Sequence, residues 1–420
     1  MSSSVLVSHP TGNANVRGAL DGFRRRGILE SFHTSVACCK DDWLYRLGVG
    51  PLRDFRRRMY GDAVRGKVHT YPWTELGRMA STKLGLRAWT RHETGRFCID
   101  RVYRDLDTRV ARYVARHPGR MDAVYTYEDC ALETFKAAKS MGKCCLYDLT
   151  AAYWKGVRQL LDTERTANAD WSMTLGGFKD SSEKLMRKDR ELALADKIYV
   201  ASSFVRDTLR LCEGVTAEIE VIPYGFPDVN LRREYLPFRN RKIRMLFVGS
   251  LSQQKGLSYL FEAVRGLEKY VELTVVGKGN IEECPVLKMA LDGVDYIPSL
   301  PHDGILRLMA EKDVLIFPSL CDGFGLVVTE AMSQGTPVVT TERTCGPDIV
   351  KSGQNGWIVQ AGKTAPLRDL FMEFIERPDV LQEVGREAMR TASCRPWSRY
   401  GAELSASVRN FLNERGFCRS

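Results

Sequence analysis

The stretch Asp313–Thr341, DVLIFPSLCDGFGLVVTEAMSQGTPVVTT, constrains the fold more than any other part of the chain. Val314 to Phe317 form a short, wholly apolar run bounded by Pro318, which reads as a buried strand. A glycine-bracketed loop follows, Asp322-Gly323-Phe324-Gly325. A short helix is expected from Leu326 to Gln334, ended by Gly335 with Pro337 two residues beyond. Val338–Thr341 then reads as the next strand. Strand, glycine loop and helix N-terminus in succession bring unpaired backbone N–H groups to one spot, where the helix dipole also favours negative charge. The stretch predicts an anion site.

Two carboxylates bracket that site. Asp322 precedes the loop, and Glu330 lies eight positions on, five residues into the expected helix. At a rise of 1.5 Å per residue, Glu330 sits roughly 7 Å along the axis from the helix start. An acid placed there repels a phosphate but accepts hydrogen bonds from hydroxyls that flank one. A diphosphate between two polyols fits this pattern, which is the chemistry of a nucleotide sugar.

The same residues resemble the acidic-x7-acidic motif of the retaining glycosyltransferases of family 4, usually Glu-Gly-Phe-Gly-Leu, then Glu-Ala-Met and a glycine. Here the text is Asp322-Gly323-Phe324-Gly325-Leu326, then Glu330-Ala331-Met332 and Gly335, with Asp in place of the first Glu. The resemblance implies that Asp322 and the loop amides hold the donor sugar and that Glu330 holds the ribose. Such enzymes also bring an Arg and a Lys to the diphosphate from the loop that opens the second domain. In the loop Gly249–Gly256, Lys255 matches the lysine and Ser250 stands where the arginine would be. Gly277-Lys278-Gly279 resembles the family's Gly-x-Gly turn, which adds Gly249 and Gly277 to the donor-side candidates. Gly346-Pro347-Asp348 and Gly353-Gln354-Asn355-Gly356 match later turns, so the resemblance is closest over 243–362.

The rest of the chain reads as alternating strands and helices. Val5–His9 is a first strand, Pro10–Asn13 a turn, and residues 14–26 a helix that contains Gly18 and Gly22. Residues 33–38 read as a second strand, and 40–120 as helical, Arg-rich text carrying Trp43, Trp73 and Trp89. Asp122–Tyr127 and Cys144–Tyr147 are further strands, the latter ending in Asp148-Leu149-Thr150 ahead of Tyr153. Ligands of open α/β sheets bind at strand C-termini. By resemblance the loop of His9, Gly12 and Asn13 faces the diphosphate and the acceptor across the cleft, Asp148 is the catalytic-cleft candidate near the transferred sugar, and Tyr153 is a further acceptor-side candidate. The family's usual histidine after the aspartate is missing. A structural turn at residues 9–13 and a helix-capping role for Asp148 are the competing readings.

Composition bounds the remaining possibilities. A chain of 420 residues holds two domains. No run of about eighteen apolar residues is present, as a spanning helix would need. The N-terminus lacks the pattern of a signal peptide. Twelve cysteines, including Cys38-Cys39 and Cys144-Cys145, show no Cys-x-x-Cys and no metal-ligand spacing. Reduced thiols and a cytoplasmic location are expected. Residues 1–120 hold 23 Lys+Arg against 11 Asp+Glu, a balance of +12 within the chain's net +10. Arg24–Arg26 and Arg56–Arg58 are the densest clusters. They read either as peripheral contact with an anionic membrane or acceptor or as a solvated face. No nucleic-acid motif accompanies them.

The expectation is therefore an α/β protein of the GT-B type, with two Rossmann-like domains facing across a cleft. The first spans 1–226, a linker 227–242, the second 243–395, and 396–420 is a helix returning to the first domain. The resemblance implies transfer of a sugar, with retention, from a nucleotide diphosphate sugar to a hydroxyl of a glycan or lipid-linked acceptor. No cofactor and no metal are expected. An inactive nucleotide-sugar-binding subunit and a nucleotide-sugar epimerase are the alternatives.

Overall fold

Two parallel sheets carry the chain in the computed structural model, which describes residues 3–37, 58, 60, 62–239 and 241–417. Cys38, Cys39, Trp43, Arg56 and Arg57 lie outside the described residues. The first sheet comprises β1 (Val5–Ser8), β2 (Leu29–Thr34), β3 (Val68–Thr70), β4 (Ala123–Tyr127), β5 (Cys144–Leu149), β6 (Lys197–Val200) and β7 (Glu218–Val221). Its order is β3-β2-β1-β4-β5-β6-β7. The second comprises β8 (Ile243–Val248), β9 (Val271–Val276), β10 (Asp295–Ile297), β11 (Val314–Ile316), β12 (Val338–Thr341) and β13 (Trp357–Val359), in the order β10-β9-β8-β11-β12-β13. Central strands such as β1, β4, β5 and β12 are buried at every position, as parallel strands covered on both faces must be.

In each sheet the strand order reverses once, between β1 and β4 and between β8 and β11. Such a reversal splays the loops at the strand ends and opens a crevice there. The loop after β1 and the loops after β8 and β11 are thus the ones placed to bind.

Helix Trp397–Glu414 returns to the first domain and lies against helix Ala14–Arg25. The two backbones meet at glycine. A methyl group on Gly22 would collide with the Gly401 carbonyl, and one on Gly401 with the Gly18 carbonyl oxygen. Gly18 and Gly22, which look like helix-weakening residues in the sequence, are what lets the helices approach so closely. The crossing between domains is tied by Phe226 N–H donating to the Arg395 carbonyl at 2.8 Å.

Three expectations need correction. The second strand is Leu29–Thr34, not 33–38. Its polar residues Ser31, His33 and Thr34 are fully buried, so apolar patterning hides it. The helical region before residue 120 contains helices Trp73–Lys83 and Ile99–Arg116, but also the edge strand β3. Finally, Trp171, within the first-domain span, is buried in the core of the second sheet beside Met245 and Leu260.

Candidate functional site

A cavity of about 1280 Å³ opens between the two sheet ends. Its second-domain wall is built by the stretch that dominates the sequence. Gly325 takes the left-handed conformation (φ 84°) needed to turn the chain into helix Leu326–Ser333. A side chain there would press on the Phe317 ring. Leu326 and Val327 line the cavity, and their amides belong to the helix's first turn, which has no intrahelical acceptors. Gly335 (φ 74°) ends the helix as expected.

Asp322 and Lys255 line the wall together and form an ion pair. The other Asp322 oxygen accepts the Phe324 N–H at 3.2 Å, so this carboxylate ties the lysine to the glycine loop. Lys255 also lies 5.3 Å over the Phe317 ring. Glu330 faces the same cavity, and among the described residues its one ion-pair partner is His302, 3.7 Å away. Burial raises its pKa above the usual glutamate range, and His302 opposes that shift. It is a carboxylate held at a cavity wall with acceptor capacity to spare. Gly249 and Ser250 complete this wall.

The first domain supplies the facing wall. Gly12 and Asn13 line it, with Asn15 and Arg17 from the following helix. The walls touch. The Ser202 hydroxyl donates to the Gly323 carbonyl at 2.7 Å, and Asp348 accepts the Ser203 N–H at 3.0 Å. A methyl group on Gly323 would strike the Thr150 carbonyl, so the first glycine of the loop is needed for this contact. Tyr224 bridges the two sides, its ring 4.8 Å from Phe324 and its hydroxyl 3.4 Å from Asn15 Nδ2.

Five sequence candidates stand behind the wall. Asp148 lies inside β5 and is buried, with Tyr125 donating to it at 2.7 Å. Burial pushes its pKa up to about 7 against the pull of the Tyr125 and Tyr127 hydroxyls. It is neither a helix cap nor a cavity group, because the strand runs two residues further than its apolar text suggests. Tyr153 is buried and donates to Asp189 at 2.9 Å. His9 is buried edge-on to Tyr127 and its ring bonds the Thr11 backbone; burial lowers its pKa to about 4. Gly277 lies off the wall, where any side chain would strike the Gly249 carbonyl, and Gly323 serves the contact just described. Conversely, Arg17, Tyr224, His302 and Trp397 line the cavity without being among the sequence candidates.

One group of metal-type ligands occurs among the described residues. Atoms of His92, Glu93 and Asp180 lie within 4.8 Å of one another. Residues so far apart in sequence give no ligand spacing. Lys184 already neutralises the cluster, 3.0 Å from Asp180 and 2.9 Å from Asp100, and none of these residues lines the cavity.

Comparison with known proteins agrees with this geometry. Residues 229–391 match the glycosyl transferases group 1 family. A phosphatidyl-myo-inositol mannosyltransferase of Mycobacterium leprae is 31% identical over 156 residues, 35% of this chain and 41% of that protein. An MMP alpha-(1->4)-mannosyltransferase of Mycolicibacterium hassiacum is 26% identical over 68% of this chain and 69% of its own length. The chain spans 41%, 36% and 57% of the first three curated relatives it matches. Among solved structures, sucrose-phosphate synthase from Thermosynechococcus elongatus superposes with a TM-score of 0.64 at 15% identity, over 98% of this chain and 100% of the other. The Anabaena protein HepE, in complex with UDP-glucose, gives 0.61 at 16% identity over 97% and 99%. The two reversing parallel sheets are thus a GT-B fold, and within it residues 229–391 match the glycosyl transferases group 1 family.

Proposed function

We propose that the protein transfers a hexose-type residue from a nucleotide diphosphate sugar to an acceptor hydroxyl of a glycan or lipid-linked molecule, with retained configuration. The observation that carries this reading is the second-domain wall. Helix amides at Leu326 and Val327, the Lys255 ammonium and the underused Glu330 carboxylate share one cavity. The amides and Lys255 suit a diphosphate, and Glu330 suits the ribose hydroxyls beside it. Relatives named as mannosyltransferases support a hexose donor. Fixed cations and helix amides neutralise a leaving diphosphate in place, so turnover is expected without a metal.

A panel of UDP- and GDP-sugars tests this by thermal shift, followed by release of free nucleotide in the presence of EDTA. One nucleotide sugar should stabilise the protein, by about 2.7 kcal/mol at a hundredfold excess over Kd. No stabilisation by any nucleoside diphosphate would overturn the reading. Activity lost to EDTA and restored by Mg²⁺ would overturn metal independence alone.

No helix among the described residues is long and apolar enough to cross a membrane. A cytoplasmic enzyme with peripheral contact to an anionic bilayer fits a surface other than the Arg24–Arg26 cluster. Arg24 and Arg25 both pair with Asp21, and Arg26 donates to Ser405 Oγ at 3.0 Å. The open cationic surface is instead helix Trp73–Lys83 and the turns after it. There Trp73 (75% exposed), Leu84 (73%) and Trp89 (47%) stand among exposed Lys83, Arg87, Arg91 and Arg96.

A further inference from the structure

The loop that should offer two cations to a diphosphate offers one. Ser250 is uncharged, and Lys255 is already paired with Asp322. A second cation faces the same cavity from the opposite wall. Arg17 sits one turn into helix Ala14–Arg25, and its Nη1 donates to the Gly12 carbonyl at 2.7 Å, which folds the side chain back over the turn after β1. Its natural helix partner would be Asp21, four residues on. That carboxylate instead pairs with Arg24 at 3.0 Å and Arg25 at 2.7 Å. Among the described residues Arg17 forms no ion pair with a carboxylate.

The turn bearing Arg17 is close to the glycine loop. Asn15 reaches the Tyr224 hydroxyl at 3.4 Å, and the Tyr224 ring lies 4.8 Å from Phe324, between Asp322 and the helix amides. Two side chains therefore separate the arginine's helix turn from the anion-binding loop. Partial desolvation draws the Arg17 pKa downward, and the nearby Tyr60 hydroxyl opposes that shift. A guanidinium offers a planar fork of donors suited to phosphoryl oxygens.

We propose that Arg17, reaching across from the first domain, supplies the second cation for the donor diphosphate in place of the arginine absent at position 250. The inference rests on the nucleotide-sugar reading of the site. It adds a consequence, because full charge neutralisation then requires the two domains to stay docked, and a separated second domain would hold the diphosphate through Lys255 and amides alone.

The test is calorimetric binding of UDP and GDP, with uridine and guanosine as probes that lack phosphate. Arg17→Ala should weaken the diphosphate that binds by about ten- to a hundredfold and leave the matching nucleoside unchanged. Arg17→Lys should lose less, and Ser250→Arg should restore most of the affinity of Arg17→Ala. Unchanged thermal unfolding of Arg17→Ala would exclude a folding effect. Equal diphosphate affinity in Arg17→Ala and the parent overturns the proposal. So does a loss confined to kcat/KM for an anionic acceptor, which would assign Arg17 to the acceptor. If the parent itself binds neither UDP nor GDP, the nucleotide-sugar reading fails first and takes this inference with it.

Discussion

Glu330 and Asp322 are both acidic, and their surroundings give them different tasks. Asp322 is spent within the loop, on the Lys255 ammonium and the Phe324 N–H. On the proposed function, an incoming diphosphate would compete with Asp322 for that lysine and release its carboxylate to sugar hydroxyls. Glu330 has no such internal duty, with His302 3.7 Å away and its carboxylate half withdrawn from water. Glu330→Ala should therefore cost donor affinity and not the fold. We expect about 1.5–3 kcal/mol weaker binding, the range for hydrogen bonds to a charged group. The loss should be equal for the nucleotide sugar and the nucleoside diphosphate, since the ribose is common to both. Titration of both ligands checks this, and unchanged affinity for the diphosphate would refute the ribose assignment.

At the scale of the element, the paired helices Ala14–Arg25 and Trp397–Glu414 hold the cleft together. They bring Arg17 to one side of the cavity and Trp397 with Ser398 to its rim. Glycine makes this possible, since Gly22 and Gly401 leave no room for a Cβ between the backbones. Gly22→Ala gains helix propensity of about 0.8–1 kcal/mol, but it forces a methyl group onto a backbone carbonyl that has no rotamer to escape through. Overpacking of this kind costs about 1–3 kcal/mol, so the net effect should be destabilising. Gly119→Ala is the control, because nothing lies within 4 Å of a Cβ there. Thermal unfolding followed by circular dichroism should fall for Gly22→Ala and stay level or rise for Gly119→Ala. Equal midpoints would mean that the two helices part easily.

For the whole molecule, charge and exposed aromatic surface point the same way. The Arg24–Arg26 cluster is largely consumed by Asp21, Ser405 and Ala402. The surface around Trp73, Leu84 and Trp89 exposes Lys83, Arg87, Arg91 and Arg96 beside these apolar side chains, while Glu75 is buried under Arg58 and Arg78. Sedimentation with vesicles rich in anionic lipid should show binding that falls steeply between low and physiological salt, as screened surface charge requires. Trp73→Ala with Leu84→Asp should weaken it several-fold, whereas Arg24→Ala should change little. Equal partition onto neutral and anionic vesicles would return the region to a solvated face.

The amino-acid sequence alone determined whatever depends on neighbours along the chain. The glycine-bracketed loop Asp322–Gly325, the helix stop at Gly335, the buried runs of β1, β8 and β11, and the eight-residue spacing of Asp322 and Glu330 all follow from local steric and periodicity rules. Those features were legible, and with them the character of the second-domain wall. Tertiary structure decided the rest, because it depends on depth and docking. Asp148 looks like a site residue at the end of a strand, yet the sheet buries it against Tyr125. Leu29–Thr34 is a strand although four of its six residues are polar, since neighbouring strands bury Ser31, His33 and Thr34. Arg17 carries no local mark of a binding residue. It becomes one only when the returning helix and Tyr224 bring its turn beside Phe324, so that a cation and an anion-binding loop more than three hundred residues apart share one cavity.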